Sequence, residues 1–492
     1  MNYDADVIVV GAGNAAFSAA LSASETQSSV IMLERAPENE AGGNTRFTAG
    51  AIRFAYNGVK DLKALVPDLT TEEIKNTDFG SYTEEAFFDD MGRLTEYRTD
   101  PNLCEVLVKE SKSTLMWMQK LGIRFTPIYG RQAFKVDGKF KFWGGLTLEA
   151  WGGGPGLLAA WLKTAQKNKI EIRYKARAIS LLYDDYGVHG VKVNQNGTTI
   201  ELKARAIVLA SGGFQANTEW RARYLGPGWD TAKVRGTRFN TGDGIRMALE
   251  ANASPYGNWS GCHAVGWERN APEFGDLAVG DNFQKHSYPF GIMINANGER
   301  FVDEGADFRN YTYAKYGRII LAQPGQFAWQ IFDNKVLHLL RDEYRIKQVT
   351  KISANTIENL VKKLDDVNSV IALKTINNYN NATNKNTHFN PNIKDNLRTE
   401  GLDIPKSNWA NTINEPPFEA YAITCGITFT FGGLRITPKG QVLDSELQVI
   451  KGLFACGELI GGLFYNNYPG GSGLTAGAVF GKIAGASASN LN

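Results

Sequence analysis

Near its start the chain reads DVIVVGAGNAA, residues 6–16. Residues 6–10 read as a strand in which positions 7–10 are all apolar, which is typical of a strand buried on both faces of a parallel sheet. A glycine turn follows, and an Ala-rich run then predicts a helix to about residue 24. Residues 29–34, SVIMLE, form a second apolar run that ends on an acid. Strand, glycine turn, helix and strand in this order predict a Rossmann-like α/β fold that binds a dinucleotide.

The small residues of this turn each have a physical reason. Gly11 permits the tight turn, and Gly13 lets the backbone approach a pyrophosphate at the helix N-terminus. Glu34, roughly 20 residues further on, can accept hydrogen bonds from ribose hydroxyls. The other predicted contacts around this turn are Asn14, Ala15 and Arg35.

A second glycine-containing loop distinguishes FAD from a nicotinamide cofactor. Residues 41–50 read AGGNTRFTAG, in which two glycines precede amide and hydroxyl side chains. Such a loop can wrap a pyrophosphate and continue toward an isoalloxazine ring, whereas a nicotinamide does not need it. The predicted contacts here are Gly43, Asn44, Thr45, Ala49 and Gly50.

Three later segments support a long dinucleotide. Residues 173–193 read as strand, turn and strand, with the adenine near Ala178. Residues 203–214 read as a buried strand that ends in a turn of small residues, and residues 240–251 place Asp243 in a glycine turn that opens a helix. The predicted contacts in the small-residue turn are Ala210, Ser211 and Gly212.

Bulk composition excludes several classes of protein. The chain has 492 residues, of which 43% are apolar and 21% charged, so it is long enough for more than one domain. A net charge of +2 gives no electrostatic case for nucleic acid or an anionic membrane. No apolar run approaches the ~18 to 20 residues of a transmembrane helix. Four scattered Cys, without CxxC, predict neither disulfides nor iron–sulfur ligation. We therefore expect a cytoplasmic protein with no metal site.

The order of these motifs resembles the flavoprotein family of succinate dehydrogenases and soluble fumarate reductases. The matching elements are GAGNAA, Glu34, AGGNTRFTAG, ASGGF, NTGDG, PPFEAYAIT and GLFACGE. Family members with covalently attached FAD carry a His in the loop that here reads GGNTRF, so the resemblance implies non-covalent FAD. Three further stretches are similar to the FAD-dependent tricarballylate dehydrogenases, which oxidise a saturated tricarboxylate to cis-aconitate: CHAVGWERNAPEFGD, QKHSYPFGIMINANGERFVDEGADFRNYTYAKYG and TCGITFTFGGLRI…NNYPGGSGLTAG.

This resemblance implies a discontinuous FAD-binding domain with an inserted cap. The FAD-binding domain is expected over residues 1–252 and 420–492, and the capping domain over residues 253–419. Within the cap, the pattern around SANTIENLVKKL predicts a helix that begins at Ser353 or Thr356. The Asn-rich residues 377–392 are interpreted as a solvated loop.

A flavin dehydrogenation of a C–C bond needs hydride transfer to flavin N5, a group that moves the proton, and groups that hold the substrate. By resemblance, Arg309 is the proton-transfer group, with Asp303, Glu304 and Asp307 as candidate relays. The alternative is that Arg309 only clamps a substrate carboxylate. His263 falls where the family has a substrate-binding His, and His286 is a further candidate catalytic residue.

Two departures from the fumarate reductase pattern remove cations. Phe429 stands in place of a substrate-binding His, and Tyr468 in place of a carboxylate-clamping Arg. The Tyr468 phenol can donate to a carboxylate or relay a proton, as in the ketosteroid dehydrogenases that the loop also resembles. Arg53 becomes a candidate to hold an anionic substrate, with Arg131 and Arg435 behind it. The remaining expected contacts are Tyr313 and Thr430 for substrate, and Gly457, Glu458, Ser472, Gly473 and Leu474 for FAD.

Three functions remain open at this stage. The first is oxidation of a small polycarboxylate of the tricarballylate type, and the second is a ketosteroid-type flavin dehydrogenase. The third is a flavin redox subunit of a larger complex, similar to the flavoprotein part of a precorrin hydroxylase. In each case reduced flavin must pass electrons on, so we expect a separate iron–sulfur or membrane-bound acceptor protein. Such a partner could also attach the protein to the membrane periphery.

Overall fold

The computed structural model describes residues 3–384 and 387–491, and its strands form two large sheets and two small ones. The strands are β1 Ala5–Val10, β2 Val30–Leu33, β3 Ala51–Ile52, β4 Thr77–Asp78, β5 Phe125–Pro127, β6 Ala133–Val136, β7 Lys139–Phe142, β8 Leu148–Ala150, β9 Glu171–Arg173, β10 Ala176–Asp184, β11 Gly187–Gln195, β12 Thr198–Leu209, β13 Lys233–Val234, β14 Pro255–Glu268, β15 Ile292–Ile294, β16 Phe327–Phe332, β17 Lys351–Ala354, β18 Phe418–Leu434, β19 Gln441–Leu443 and β20 Val449–Ala455. The helices are α1 Asn14–Ser24, α2 Val59–Leu65, α3 Thr71–Asn76, α4 Glu84–Leu94, α5 Pro101–Lys120, α6 Tyr129–Gln132, α7 Gly153–Lys167, α8 Thr218–Trp220, α9 Asp243–Glu250, α10 Arg309–Leu321, α11 Ile357–Lys362, α12 Ser369–Ala382 and α13 Ser472–Ser489.

The first sheet is parallel at its centre, with the order β9–β2–β1–β12–β20. Val7 in β1 pairs with Ala206 on one side and Val30 on the other, and all three side chains are buried. Strands covered on both faces need apolar residues at every covered position, which explains the uninterrupted apolar run at residues 7–10. The hairpin β10–β11 extends the sheet through the first half of β12. The predicted Rossmann-like α/β fold is confirmed.

Two helices rich in small residues cover this sheet beside the glycine turn. α13 packs closely on α1, and its glycines face the α1 backbone. A Cβ atom at Gly485 would lie 2.1 Å from the Ala19 carbonyl oxygen, and one at Gly481 would lie 2.5 Å from that of Ala15. The helices can approach this closely only because these positions lack side chains. The close packing brings the N-terminal ends of both helices to the same region.

The second sheet is organised by β18, which has 17 residues and pairs with four other strands. β14 runs antiparallel beside it, and the register sets His263 opposite Phe429 and Cys262 opposite Thr430. Bulges on both sides of this pair shift the register of β14, and bulges commonly redirect side chains near functional sites. The pairing of β14 with β18 therefore brings His263, Phe429 and Thr430 close together.

The inserted segment differs from the prediction in one respect. The Asn-rich residues 377–382 belong to α12, whose buried face carries Ile376 and Tyr379, so that part of the predicted loop is helical. Residues 385 and 386 of this stretch lie outside the described residues. α11 begins after Thr356, whose hydroxyl accepts from the Asn359 amide, as one predicted start requires. Ser353, the other predicted start, lies in β17.

The predicted domain boundaries at 252 and 420 stay a prediction. β14 begins at Pro255, shortly after the first boundary, and β18 begins at Phe418 and continues through the second. Within residues 3–384 and 387–491, no helix is long and apolar enough to cross a bilayer.

Candidate active site

One long cleft runs from the carboxyl ends of the parallel strands of the first sheet to β14 and β18 of the second sheet. The predicted cofactor residues that line it are Gly11, Gly13, Asn14, Ala15, Glu34, Arg35, Gly43, Asn44, Thr45, Ala49, Ala178, Ala210, Ser211, Gly212, Asp243, Gly457, Glu458, Gly473 and Leu474. The predicted substrate and catalytic residues that line it are His263, His286, Arg309, Tyr313, Thr430 and Tyr468. Gly50, Arg53 and Ser472 do not line it. The fold thus brings residues from both halves of the chain to one continuous surface.

The glycine turn makes one wall of the cleft. Gly11 has φ +122°, and a Cβ atom there would lie 2.4 Å from the Ala210 carbonyl oxygen. Gly13 caps α1 without a side-chain hydrogen bond, and the Asn14 amide donates to the Thr45 hydroxyl at 2.9 Å. This contact joins the turn to the second glycine loop, as a pyrophosphate wrapped by both requires.

Four charged residues line the adenosine end of the cleft, namely Glu34, Arg35, Arg177 and Asp243. Glu34 is buried, and one of its oxygens accepts from the Ala36 amide at 2.8 Å. Burial raises the pKa of this carboxyl group. Asp243 is held in ion pairs by Arg35 at 2.9 Å and by Arg177 at 2.8 Å. Asp243 therefore fixes two neighbouring segments at the cleft wall in addition to facing the cleft.

Three observations indicate that the residues lining the cleft fit FAD. Both α1 and α13 point N-termini without side-chain caps at the cleft, where peptide N–H groups can meet phosphate or a developing negative charge. The Ser211 hydroxyl is buried and has no hydrogen-bond partner within the described residues. A Cβ atom at Gly43 would meet nothing within 4 Å, so the second loop leaves open space on its cleft side. We conclude that the row of glycine turns can hold the dinucleotide along its whole length.

Near the middle of the cleft, Glu458 accepts hydrogen bonds from several groups. The Thr430 amide donates to it at 2.9 Å, and the side-chain amides of Gln215 and Asn240 lie at 3.4 and 3.5 Å. Burial raises the pKa of Glu458 to about 7. The carboxyl group can therefore meet hydroxyl groups of a cofactor as either acceptor or donor near neutral pH.

At the far end, two phenols and an imidazole form a hydrogen-bonded chain. The Tyr313 and Tyr468 hydroxyls are 2.6 Å apart, and the Tyr468 hydroxyl is 3.1 Å from His263 Nδ1. Burial raises the pKa of Tyr468 well above its usual value and, together with the charge of Arg235, lowers that of His263 well below its usual value. The phenol therefore keeps its proton and the imidazole stays neutral. His263 Nε2 is buried and unpaired among the described residues, so the chain has a free end.

Arg309 begins α10 at the same end of the cleft and is buried. Its guanidinium donates to the Arg131 carbonyl, and no carboxylate in residues 3–384 or 387–491 lies within ion-pair distance of it. Burial lowers the pKa of Arg309; Glu343 acts to raise it, and Arg131 acts to lower it further. His286 beside it has a buried, unpaired Nε2, and burial together with Arg309 lowers its pKa. Arg309 is therefore a buried cation with which no carboxylate in the described part of the chain forms an ion pair.

Two further arginines at this end share one acid. Arg235 binds Asp281 through Nε at 2.8 Å and Nη2 at 2.5 Å, and Arg131 binds the same carboxylate at 3.1 Å. Sequence reasoning named Arg131 only as a secondary candidate and missed Arg235 and Asp281. No local motif marks that pair, because β13 and the turn at residues 280–283 bring them together from distant positions.

The expected acidic relays for Arg309 are engaged elsewhere. Glu304 is paired with Arg300 at 2.5 Å, and Asp307 with Arg93 at 2.8 Å. Asp303 accepts from the backbone and hydroxyl of Ser407. None of the three acids lines the cleft. The structure thus shows these candidate relays in contact with groups other than Arg309, and the acid that acts on the charge of Arg309 is Glu343, which is buried.

Aromatic side chains form part of the cleft wall at the same end. Phe429 packs edge-on against His263 at 5.5 Å and against Tyr468 at 5.1 Å between ring centroids. Phe431 and Phe464 continue this wall. Phe429 and Tyr468, the two predicted departures from the fumarate reductase pattern, thus belong to one aromatic surface, in which the Tyr468 hydroxyl can form hydrogen bonds and the Phe rings cannot.

Three of the predicted site residues do not line the cleft. Arg53 is fully buried behind the loop that carries Tyr468 and donates to the Gly470 carbonyl, so the structure does not bring it to the cleft. Gly50 packs against Gly153, where a Cβ atom would lie 2.7 Å from the backbone. Ser472 is buried, and its hydroxyl donates to the Pro469 carbonyl at 2.6 Å. Each residue shapes a segment beside the cleft instead of its surface.

A dinucleotide cleft that ends in a buried group of phenol, imidazole and guanidinium side chains defines an FAD-dependent oxidoreductase. The FAD binding domain family matches residues 6–474, and the chain belongs to it, within the fumarate reductase and succinate dehydrogenase flavoproteins. The chain is 30% identical over 496 residues to a fumarate reductase (cytochrome) of Shewanella frigidimarina. The alignment covers 99% of this chain and 77% of that protein.

Solved structures agree with this membership. The open conformation of a flavocytochrome c3 fumarate reductase superimposes with a TM-score of 0.72 at 26% identity, over 99% of this chain and 78% of that one. A 3-ketosteroid Δ1-dehydrogenase from Sterolibacterium denitrificans superimposes with a TM-score of 0.75 at 19% identity, over 99% of both chains. The second likeness shows the fold alone.

Proposed function

We propose that the protein interconverts a CH–CH bond and a C=C bond in a small polycarboxylate, of the tricarballylate to cis-aconitate type. FAD, when bound, supplies the site that accepts or gives up the hydride. The single observation that carries the proposal is Arg309, a buried guanidinium that lines the cleft and has no carboxylate partner within the described part of the chain. A buried charge without a partner is costly, and a substrate carboxylate would compensate it.

The charge balance supports more than one substrate carboxylate. At this end, the charged residues that line the cleft are three arginines and one acid, namely Arg131, Arg235, Arg309 and Asp281. Glu343 lies outside this lining and acts on the charge of Arg341 as well as on that of Arg309, so it is counted with Arg341. Asp281 balances only one of the two arginines that it contacts. Two positive charges are therefore left, and two carboxylates would balance them. A third carboxylate would meet neutral hydrogen-bond donors, since Tyr468 and His263 are uncharged at neutral pH.

The proton is assigned to Arg309 rather than to Tyr468. Burial lowers the pKa of Arg309 and raises that of Tyr468. A group exchanges a proton more readily when its pKa moves toward the working pH, and both shifts therefore favour Arg309. In reduction Arg309 would give its proton to the carbon next to the one that receives the hydride. In oxidation it would take that proton only after giving up its own, a step that its lowered pKa favours. Tyr468, His263 and Tyr313 would orient the substrate through their hydrogen-bonded chain.

A second candidate rests on the aromatic wall of Phe429, Phe431, Phe464 and Tyr468. Such a wall suits a flat, neutral substrate such as a ketosteroid, and the fold is compatible with that chemistry. The three arginines at the same end of the cleft argue against it, because a neutral ligand would leave buried positive charge uncompensated. The third reading, a redox subunit, and the separate acceptor protein stay predictions, as do the cytoplasmic location and non-covalent attachment of FAD.

The test is anaerobic mixing of the FAD-loaded protein with a panel of candidate reductants. The panel contains tricarballylate, succinate, a saturated monocarboxylate and a 3-ketosteroid, and loss of flavin absorbance reports reduction. We expect rapid bleaching by tricarballylate, slower bleaching by succinate, and none by the steroid. Bleaching by the steroid alone would overturn the proposal in favour of the second candidate. If no acid bleached the flavin and cis-aconitate failed to reoxidise chemically reduced protein, the polycarboxylate would be excluded.

A further inference from the structure

Arg53 is the largest departure from the sequence-based expectation. It was expected to contact substrate, yet its side chain is fully buried and lies outside the cleft. We propose that Arg53 is a positioning residue that holds Tyr468 and the start of α10 in their working arrangement. This proposal rests on the proposed function only for its turnover measurements, whereas its hydrogen-exchange test needs no substrate.

Arg53 fixes the Tyr468 loop, residues 466–471, through backbone contacts. Its Nε donates to the Gly470 carbonyl at 2.8 Å, and its own amide donates to the Gly471 carbonyl at 3.2 Å. Its carbonyl in turn accepts from the Thr475 hydroxyl at 2.5 Å, in the first turn of α13. Three contacts from one residue thus immobilise the chain on the C-terminal side of Tyr468.

The guanidinium of Arg53 sits in a cluster that stays charged. Asp90 lies 3.7 Å from Nη1, and the hydroxyls of Tyr82 and Tyr311 both donate to Asp90 at 2.7 Å. The guanidinium carbon is 4.8 Å from the Tyr82 ring centre and 5.6 Å from that of Tyr311. Burial acts to lower the pKa of Arg53, but these two rings and Asp90 outweigh it and raise the pKa. Arg53 is therefore a buried, charged anchor within this cluster.

The same cluster reaches the element that carries Arg309. Tyr311 lies in α10, two residues after Arg309, and its carbonyl accepts from the Asn467 side chain at 2.7 Å. The Gly470 amide donates to the Asn310 carbonyl at 2.9 Å. The Tyr468 loop and the first turn of α10 are thus joined to each other and, through Arg53 and Asp90, to the N-terminal part of the chain. Loss of Arg53 should displace both Tyr468 and Arg309.

The first experiment measures hydrogen exchange in the FAD-loaded protein, without substrate. Arg53→Met removes the donor to Gly470 and the charge, whereas Arg93→Met is the matched control. Arg93 binds the same Asp90 at 2.9 Å and faces the same Tyr311 ring but does not touch the loop. We expect amide exchange in residues 466–471 to accelerate by about tenfold or more in Arg53→Met and to stay within about threefold in Arg93→Met. Equal protection of this loop in wild type and Arg53→Met would overturn the proposal.

The second experiment uses turnover and separates positioning from substrate binding. Because a small misplacement of reacting groups can cost about 100-fold in rate, Arg53→Met should lower kcat by about 10- to 100-fold with little change in KM or FAD content. In a Tyr468→Phe background the same change should cost clearly less than in wild type, since part of the effect of Arg53 acts through Tyr468. A raised KM with unchanged kcat would assign Arg53 to substrate, and fully multiplicative losses would also overturn the proposal.

Two milder variants keep the proposal falsifiable if Arg53→Met does not fold. Arg53→Lys keeps the charge but loses the bond to Gly470, and Tyr311→Phe removes one hydrogen bond to Asp90 while leaving Arg53 in place. We expect loop exchange to rise in both variants, more in Arg53→Lys. Unchanged exchange in Arg53→Lys would overturn the proposal. If no acid reduces wild-type protein but the exchange results hold, the proposed substrate fails while the positioning role stands.

Discussion

Replacing Arg309 with glutamine removes the cation that has no carboxylate partner among the described residues while keeping a side chain that can donate hydrogen bonds. Arg309 is buried at the start of α10 and donates to the Arg131 carbonyl. Glutamine is shorter and neutral, so the excess of two positive charges at this end of the cleft falls to one. The change does not touch the glycine turns, and FAD content is therefore expected to stay at the wild-type level.

The size of the effect follows from the two roles given to Arg309. A hydrogen bond from a charged group is worth about 1.5 to 3 kcal/mol, and about 1.4 kcal/mol corresponds to a factor of ten. Loss of the carboxylate contact should therefore weaken substrate binding by about 10- to 150-fold. Loss of an acid–base group typically costs about 10²- to 10⁴-fold in rate. Arg309→Gln should thus lower the bimolecular rate of flavin reduction by at least about 10³-fold.

The assay is stopped-flow flavin reduction by tricarballylate under anaerobic conditions, which separates the limiting rate from the apparent substrate affinity. The control is Arg131→Gln, since Arg131 lines the same cleft but already has Asp281 as a partner. The control should weaken affinity with less than about a tenfold change in limiting rate. A limiting rate in Arg309→Gln that equals wild type would refute the assignment of the proton to Arg309. Unchanged affinity would refute its role as carboxylate anchor.

The remaining predictions concern the glycine turn, the phenol and the buried imidazole. Gly11→Ala should abolish FAD retention, measured as flavin per protein after gel filtration. The added Cβ atom would lie 2.4 Å from the Ala210 carbonyl oxygen, and φ at this position is +122°, which residues with a side chain rarely adopt. Full flavin content in this variant would contradict the placement of the pyrophosphate at Gly11. Tyr468→Phe should keep FAD and lower the limiting rate of reduction by about tenfold, because the chain from Tyr313 to His263 loses its central hydroxyl; a rate equal to wild type would leave the phenol without a role. Burial lowers the pKa of His286 in the folded protein. Below pH about 6.5 this His therefore binds a proton in the unfolded chain but not in the folded protein. The free energy of unfolding consequently falls as the pH falls. In His286→Gln, denaturant unfolding should therefore show a smaller loss of stability between about pH 6.5 and 5.5, by up to about 1.4 kcal/mol per pH unit; an identical pH dependence would mean that His286 titrates normally.

The cofactor half of the site could be predicted from sequence because its chemistry depends on backbone. A pyrophosphate site needs glycine at fixed offsets from a strand and a helix, and Gly11 and Gly13 satisfy this within one short motif. Such local constraints leave a readable pattern. The same holds for Thr356, whose hydroxyl caps a helix only one residue away.

The substrate half could be predicted only in part because it depends on side chains from distant segments. Arg235 directly follows β13 and Asp281 lies in the turn at residues 280–283, and no local pattern predicts that they form an ion pair. Arg53 follows the second glycine loop closely in sequence, and proximity suggested a substrate contact. Its burial depends on the position of Gly470, which the sequence around Arg53 does not indicate.

The helical residues 377–382 show a further limit. Asparagine is common in loops, and a run of it predicted a solvated segment. The spacing of Ile376 and Tyr379, both buried, places one face of α12 against the second sheet, and this packing outweighs the weak helix preference of asparagine.

The most direct test of the central claim is an experimental structure of the FAD-loaded protein soaked with cis-aconitate or tricarballylate. We predict that the pyrophosphate lies at Gly11 and Gly13, that the isoalloxazine ring lies between the N-terminus of α13 and Tyr468, and that a ligand carboxylate contacts Arg309. An isoalloxazine ring at the Glu34 end of the cleft, or a ligand that leaves Arg309 without an anionic partner, would contradict the account.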